Sequence, residues 1–217
     1  MLGRISALTV VILAVLIMLF VFVGFFGFNE DIDAPVAPDA DRFDDPSDRN
    51  NVADLWTIDY SASFIRFRGI ESGTTFEGNW PNWTALVRFD PATIQSGELD
   101  VRIDATNVET GNDDRDEALR LSTWFDTANY PEIRYESRQF SKRAEDRFST
   151  QGILTIREKR VPVPIDFTVS EESGRFVLDG ETVLDRVALE IGTDEFADTR
   201  WINQFVTVVV HIETVAK

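Results

Sequence analysis

The sequence predicts an all-β domain, an antiparallel barrel or sandwich with one short helix, standing behind an apolar amino-terminal segment. Two observations carry the fold. From Trp56 onward apolar and polar residues alternate with a period of two, and the strand-length runs are separated by Gly, Asp and Asn turns. A third observation places the domain: residues 5–28 form one uncharged apolar run, followed at once by Glu30, Asp31 and Asp33.

At about 1.5 Å per helical residue, residues 5–28 are long enough to cross a hydrocarbon core of roughly 30 Å. The competing reading is a cleaved secretory signal, whose apolar centre is about 7 to 15 residues and ends in a small-x-small site. This run is longer and ends in Gly24-Phe25-Phe26-Gly27-Phe28, which favours an uncleaved single-pass transmembrane helix. Arg4 precedes the run and acidic residues follow it, so the amino terminus is expected in the cytoplasm and the remaining chain outside it. Residues 29–54 mix Asp, Pro, Asn and Ala with little to bury, the composition of a disordered, self-repelling linker. The folded domain is expected over residues 55–217.

Within that domain the alternation assigns faces. Leu99, Val101, Ile103 and Ala105 share one face, with Asp100, Arg102 and Asp104 on the other. Ile133, Tyr135 and Ser137 oppose Arg134, Glu136 and Arg138. Val161, Val163, Ile165, Phe167 and Val169 line one side, and Pro162 and Pro164 point to a sheet edge or a strand end. Further strands are expected at 56–60, 62–68, 83–90, 147–157, 175–184 and 204–215. One helix interrupts the series: Asn112 or Asp113 caps it, Asp116 or Glu117 occupies the first turn, and Ala118, Leu119 and Leu121 lead on to Trp124 and Phe125. A closed barrel of about eight strands is wide enough to be filled by side chains or to hold one small ligand.

Composition narrows the function. A formal charge of −17 repels phosphates, which argues against nucleic-acid binding. The absence of cysteine removes disulfides, thiol chemistry and the lipid-modified cysteine of a lipoprotein. The one histidine, His211, falls on the last strand, where Val206, Val208, Val210 and Ile212 take the inner face and turn it outward beside Glu213. With no nucleophile elbow and no phosphate-binding glycine loop, the residues point to no enzyme, no metal and no cofactor. Asp113, Asp114, Asp116 and Glu117 lack calcium-loop spacing and read as helix capping.

Several segments, taken in order, resemble the YceI-like family of lipocalin-like, polyisoprenoid-binding proteins. Trp56-Thr57-Ile58-Asp59 with Ser63, Ile65 and Phe67 is similar to its first strand pair, and Phe76-Glu77-Gly78 with Val87-Arg88-Phe89-Asp90-Pro91 to its next hairpin. Val101-Arg102-Ile103-Asp104, Thr110, Arg115-Asp116, Leu119, Trp124-Phe125-Asp126 and Tyr130-Pro131-Glu132-Ile133 follow. Gly152, Leu154-Thr155-Ile156, Asp185-Arg186, Ile191-Gly192 and Trp201 complete the series. Three positions depart from the pattern: Ala62 and Glu71 stand where the family carries histidines, and Glu158 where it carries glycine.

The resemblance implies an extended eight-stranded antiparallel lipocalin-like barrel enclosing an isoprenoid lipid, a quinone or a polyprenyl compound. The lining expected from the alternating faces is Ile65, Phe67, Val87, Phe89, Val101, Ile103, Ile133, Tyr135, Val163, Ile165, Phe167, Val208 and Val210. Together with the apolar run at 5–28, this leads to the expectation of a periplasmic domain tethered to the inner membrane of a bacterium, working in transport, storage or sensing. The alternative is a non-catalytic module with a packed interior, docking a membrane redox or envelope protein through its acidic surface. An exposed strand edge would permit a homodimer.

Overall fold

A computed structural model of the chain describes residues 55–215. The transmembrane helix expected at 5–28 and the linker expected at 29–54 lie outside the described residues. Among the described residues no helix is long and apolar enough to cross a membrane.

Nine antiparallel strands, rather than eight, make one curled sheet in the order β2-β1-β9-β8-β7-β6-β5-β4-β3. They are β1 (Phe64–Glu71), β2 (Thr74–Asn79), β3 (Trp83–Arg88), β4 (Glu98–Asp104), β5 (Glu132–Lys142), β6 (Arg147–Ile156), β7 (Lys159–Glu172), β8 (Arg175–Asp185) and β9 (Phe205–Glu213). β2 and β3 are the two edges and share no ladder. Closure comes from elsewhere. In place of the strand expected at 56–60, residues 55–59 form a staple: Leu55 bridges Arg88, Ile58 bridges Thr214, and the Trp56 indole donates to the Phe89 carbonyl at 2.9 Å. Asn79 bridges Glu109 on the other side of the gap.

β2 escapes the alternation pattern for a steric reason. Its inward residue Gly78 is small because the Phe67 ring fills the space where a Cβ would stand, 2.1 Å from the ring. An inward position that must be empty carries no apolar signal. The Ser72-Gly73 and Ser173-Gly174 turns, with φ of 50° and 77° and of 54° and 77°, are the left-handed pairs that join two-residue hairpins. At the β6–β7 turn the positive φ of 51° belongs to Arg157 and not to Glu158. This turn therefore places no demand for glycine at position 158.

β7 lies inside the sheet order, so its prolines do not mark a sheet edge. They are nonetheless tolerated for the edge-strand reason: β7 pairs β6 from Lys159 to Thr168 but β8 only from Asp166 onward. Pro162 and Pro164 fall in the half with no ladder partner toward β8, where a missing N–H costs nothing. The Thr182 hydroxyl spans the split there, donating to the Pro164 carbonyl at 2.7 Å.

The helix α1 (Asp113–Arg120) is capped by Asn112, whose side chain accepts from the Arg115 N–H at 2.9 Å. It ends at Arg120, and Trp124 and Phe125 lie in the turn beyond it rather than on the helix. Asp116 is buried and accepts from the Thr110 amide and hydroxyl at 2.8 and 2.6 Å. Asp113, Asp114 and Asp116 occupy the first turn of the helix, and among the described residues no cluster is arranged to hold a metal ion.

Candidate functional site

The inner faces of the strands enclose an apolar tube in two chambers, and β9 measures its axis. Val206 lines a wide chamber of about 410 Å³, Val208 lines both chambers, and Val210 and Ile212 line a narrow one of about 110 Å³. Trp80, Ile156 and Leu184 also belong to both and form the neck. Beyond the narrow chamber the tube is floored by rings: Phe167 lies 5.3 Å from Phe89 and 5.7 Å from Phe148, and Phe140 lies 5.3 Å from Phe89.

Of the residues expected from sequence, Ile65, Val101, Ile103, Ile133, Tyr135, Val163, Ile165, Phe167, Val208 and Val210 line the narrow chamber, and Phe67 lines the wide one. Val87 and Phe89 face inward but line neither. Val87 is wholly buried in packed wall, and Phe89 is a floor ring. Alternation assigns these two to the correct face, but only the stagger of the strands decides their depth along the axis.

The narrow chamber is dry by construction. Its hydroxyl groups are already committed: the Tyr135 hydroxyl donates to the Val163 carbonyl at 3.1 Å, Thr182 to Pro164, and Thr150 Oγ1 lies 2.9 Å from the Gln139 carbonyl and 2.5 Å from Ser137 Oγ. Burial pushes the Tyr135 phenol well above its ordinary range, which keeps it neutral. Tyr135 fits because residue 152 across the ladder is glycine; a Cβ there would stand 2.3 Å from its ring.

The wide chamber carries the polar groups. Arg115 stacks over the Phe76 ring at 4.3 Å and pairs with Glu71 at 2.9 Å, with Asn112, Asp114 and Asn203 nearby in the lining. Glu71 is one of the positions that departs from the family pattern, and its carboxylate is answered by Arg115. Ala62, the other position where the family carries a histidine, lies in a local turn outside both chambers, its amide bonded to the Asp59 carbonyl.

Arg186 is 3 % exposed, and its guanidinium is held by backbone carbonyls. Its guanidinium donates to the carbonyls of Asn203, Phe196 and Ile202 at 2.8, 2.9 and 2.7 Å, to Ile191 at 3.1 Å and to Gly192. This one side chain gathers residues 191–203 into the chamber wall. Burial lowers its pKa, and the carbonyls supply the acceptors that water would otherwise provide. Ile70, at the chamber, is exposed and accepts from the Asn203 amide at 2.9 Å, and Val183, Trp201 and Phe205, next in sequence to the lining residues Leu184, Ile202 and Val206, are exposed too.

His211 points outward, as the alternation requires. Its ring stacks on Phe64 at 5.1 Å, with Nδ1 2.7 Å from Asp179 and Nε2 3.2 Å from Glu213. Partial burial alone would lower its pKa, but the hydrogen bonds to Asp179 and Glu213 outweigh that and hold it above the ordinary value.

Sequence reasoning missed Trp80, Leu154, Ile156, Leu178, Leu184 and Arg186 as lining residues. Leu154 and Ile156 alternate within β6 and could have been found on that signal. Trp80 lies in the loop after β2, where no periodicity marks a residue as inward.

Comparison with known proteins agrees with this architecture. The fold is shared with Burkholderia cenocepacia BcnA, at a TM-score of 0.70 and 25 % identity over 73 % of this chain and 99 % of that one. It is shared also with a polyisoprenoid binding domain from Saccharophagus degradans, at a TM-score of 0.59 and 14 % identity over 75 % of this chain and 98 % of that one. Among curated sequences, protein YceI of Escherichia coli is 28 % identical over 105 residues, 48 % of this chain and 54 % of that protein. The chain spans about half the length of the curated relatives it matches. A family model described as the YceI-like domain matches residues 56–214, nearly the whole described region, and on that match the chain belongs to the YceI-like family.

Proposed function

We propose that this domain is a carrier or sensor that holds one isoprenoid lipid, its tail in the narrow chamber and its head in the wide one. The observation that supports this most directly is the pair of adjoining chambers: a dry one whose hydroxyls are all satisfied, sharing Trp80, Ile156, Leu184 and Val208 with a larger one lined by Glu71, Asn112, Asp114 and Arg115. A hydrocarbon tail asks for such a lining and nothing more, each buried methylene contributing about 0.8 kcal/mol. The polyisoprenoid-binding relative of the same fold supports the same reading. Binding rather than catalysis is the role proposed, since the only histidine faces outward and is held by two carboxylates.

Residues 5–28 would hold the domain at the periplasmic face of the inner membrane, and the exposed apolar residues beside the wide chamber suit loading from a bilayer. The test is native mass spectrometry, followed by organic extraction, of the full chain purified from its host. One stoichiometric isoprenoid lipid is the expected result. A chain that carries none, and takes up none from vesicles containing a quinone or polyprenyl lipid, would favour the alternative of a non-catalytic module docking through its acidic surface.

A further inference from the structure

The neck contains a hydrogen-bond donor with nothing to donate to. Trp80 is 6 % exposed and its ring lines both chambers, packed 4.6 Å from Phe67 and 6.0 Å from Phe125. Its backbone N–H is used, donating to the Ile65 carbonyl at 3.2 Å. Its indole N–H is buried and has no partner among the described residues. An indole is a donor only, and leaving a buried donor unpaired forfeits its hydration without return. The contrast within this molecule is direct: the Trp56 indole is paired, and so are the hydroxyls of Tyr135 and Thr182 in the narrow chamber.

Resting on the reading of the tube as a lipid holder, we propose that Trp80 is a specificity-determining residue whose indole N–H donates to an acceptor oxygen on the ligand, at the junction between head and tail. The ligand is therefore an isoprenoid bearing an oxygen at its head, and not a plain hydrocarbon. The surroundings favour an uncharged oxygen such as a ring carbonyl. Arg115 is already paired with Glu71 and Arg186 with backbone carbonyls, so neither cation is left over for a phosphate, and Asp114 in the same lining would repel one.

The test compares three probes on the full chain: a short-tailed isoprenoid quinone, a polyprenyl monophosphate, and squalene, which has the tail chemistry and no acceptor. Trp80→Phe keeps a ring at the neck and removes the N–H. It should weaken the quinone by about 3- to 10-fold and leave squalene unchanged. In the unaltered protein the indole proton of Trp80 should move downfield in NMR spectra on adding the quinone and not on adding squalene, a readout that stands even where Trp80→Phe fails to fold. Equal weakening of quinone and squalene, with no shift of the indole proton, would reduce Trp80 to packing and overturn the proposal. Tighter binding of the monophosphate than of the quinone would overturn the preference for an uncharged head. Failure of all three probes to bind the unaltered protein would instead overturn the lipid-holding reading itself.

Discussion

Placing a carboxylate at Ile103 tests the dry chamber most severely. Ile103 is 8 % exposed, pairs with Trp83 and Ile133 across its two neighbouring strands, and lines the narrow chamber. The hydroxyls of that chamber are committed to Val163, Pro164 and Gln139 or Ser137, and no cation among the described residues lines it, so an aspartate there has no ion-pair partner. Its cheapest escape is to stay protonated. Holding the proton at pH 7 against an ordinary Asp pKa of about 3.9 costs about 4 kcal/mol, and losing the buried isoleucine costs roughly 2 kcal/mol more. The sum is a large part of the 5 to 15 kcal/mol typical of a domain, and at about 2 to 4 °C per kcal/mol it lowers the melting temperature by roughly 12 to 24 °C. The sign of the pH effect follows: the folded pKa is raised, so the folded state keeps a proton that the unfolded state releases. Stability falls as pH rises through the interval between the two pKa values, and about 3 kcal/mol returns on going from pH 7 to about pH 4.5. Ile103→Asn has similar shape and no titration, so the difference between the two variants, followed by circular dichroism melts against pH, isolates the charge. Equal melting of Ile103→Asp and Ile103→Asn at every pH would mean that the side chain reaches solvent and would refute the inward assignment. Full lipid content in a folded Ile103→Asp at pH 7 would remove the tail from the narrow chamber.

Further outcomes follow from the same geometry. Arg102→Ala, on the opposite face and with its side chain 44 % exposed, should change stability by no more than about 1 kcal/mol and leave lipid content intact, checked by the same melts and by extraction. Gly152→Ala drives a Cβ against the Tyr135 ring and the Glu136 carbonyl, and should cost about 1 to 3 kcal/mol in chemical denaturation; an unchanged midpoint would place Tyr135 elsewhere. Arg186→Met leaves five carbonyls without their donor, so residues 191–203 should become sensitive to limited proteolysis while the strands stay resistant, and bound lipid should exchange faster. His211→Ala should keep its lipid. Because the folded pKa of His211 is raised, its stabilisation is complete below the unfolded value of about 6.5 and fades as pH rises through the folded one, a slope that melts of the alanine variant should lack.

The class of structure and the facing of its side chains are legible in the sequence. Period-two alternation is a local property of the backbone, so Ile103 against Arg102, Phe167 against Asp166 and Val210 against His211 can be assigned from their neighbours alone. Asn112 as helix cap, and the absence of any cysteine, are equally local facts. The tertiary structure decided everything that depends on depth along the tube. It turned residues 55–59 into a staple between β3 and β9, made a strand of Thr74–Asn79, and left β2 and β3 without a ladder to each other. It sent Val87 into solid wall and Phe89 into the floor, while Val101 on the same inner face borders empty space. It brought Trp80 from a loop to the neck, and Arg186 from the end of β8 to carbonyls as many as 17 residues away. The physical reason is that a pleat records which side of the sheet a residue occupies, whereas its height in a barrel is set by the register and stagger of strands distant in sequence, which no local pattern encodes.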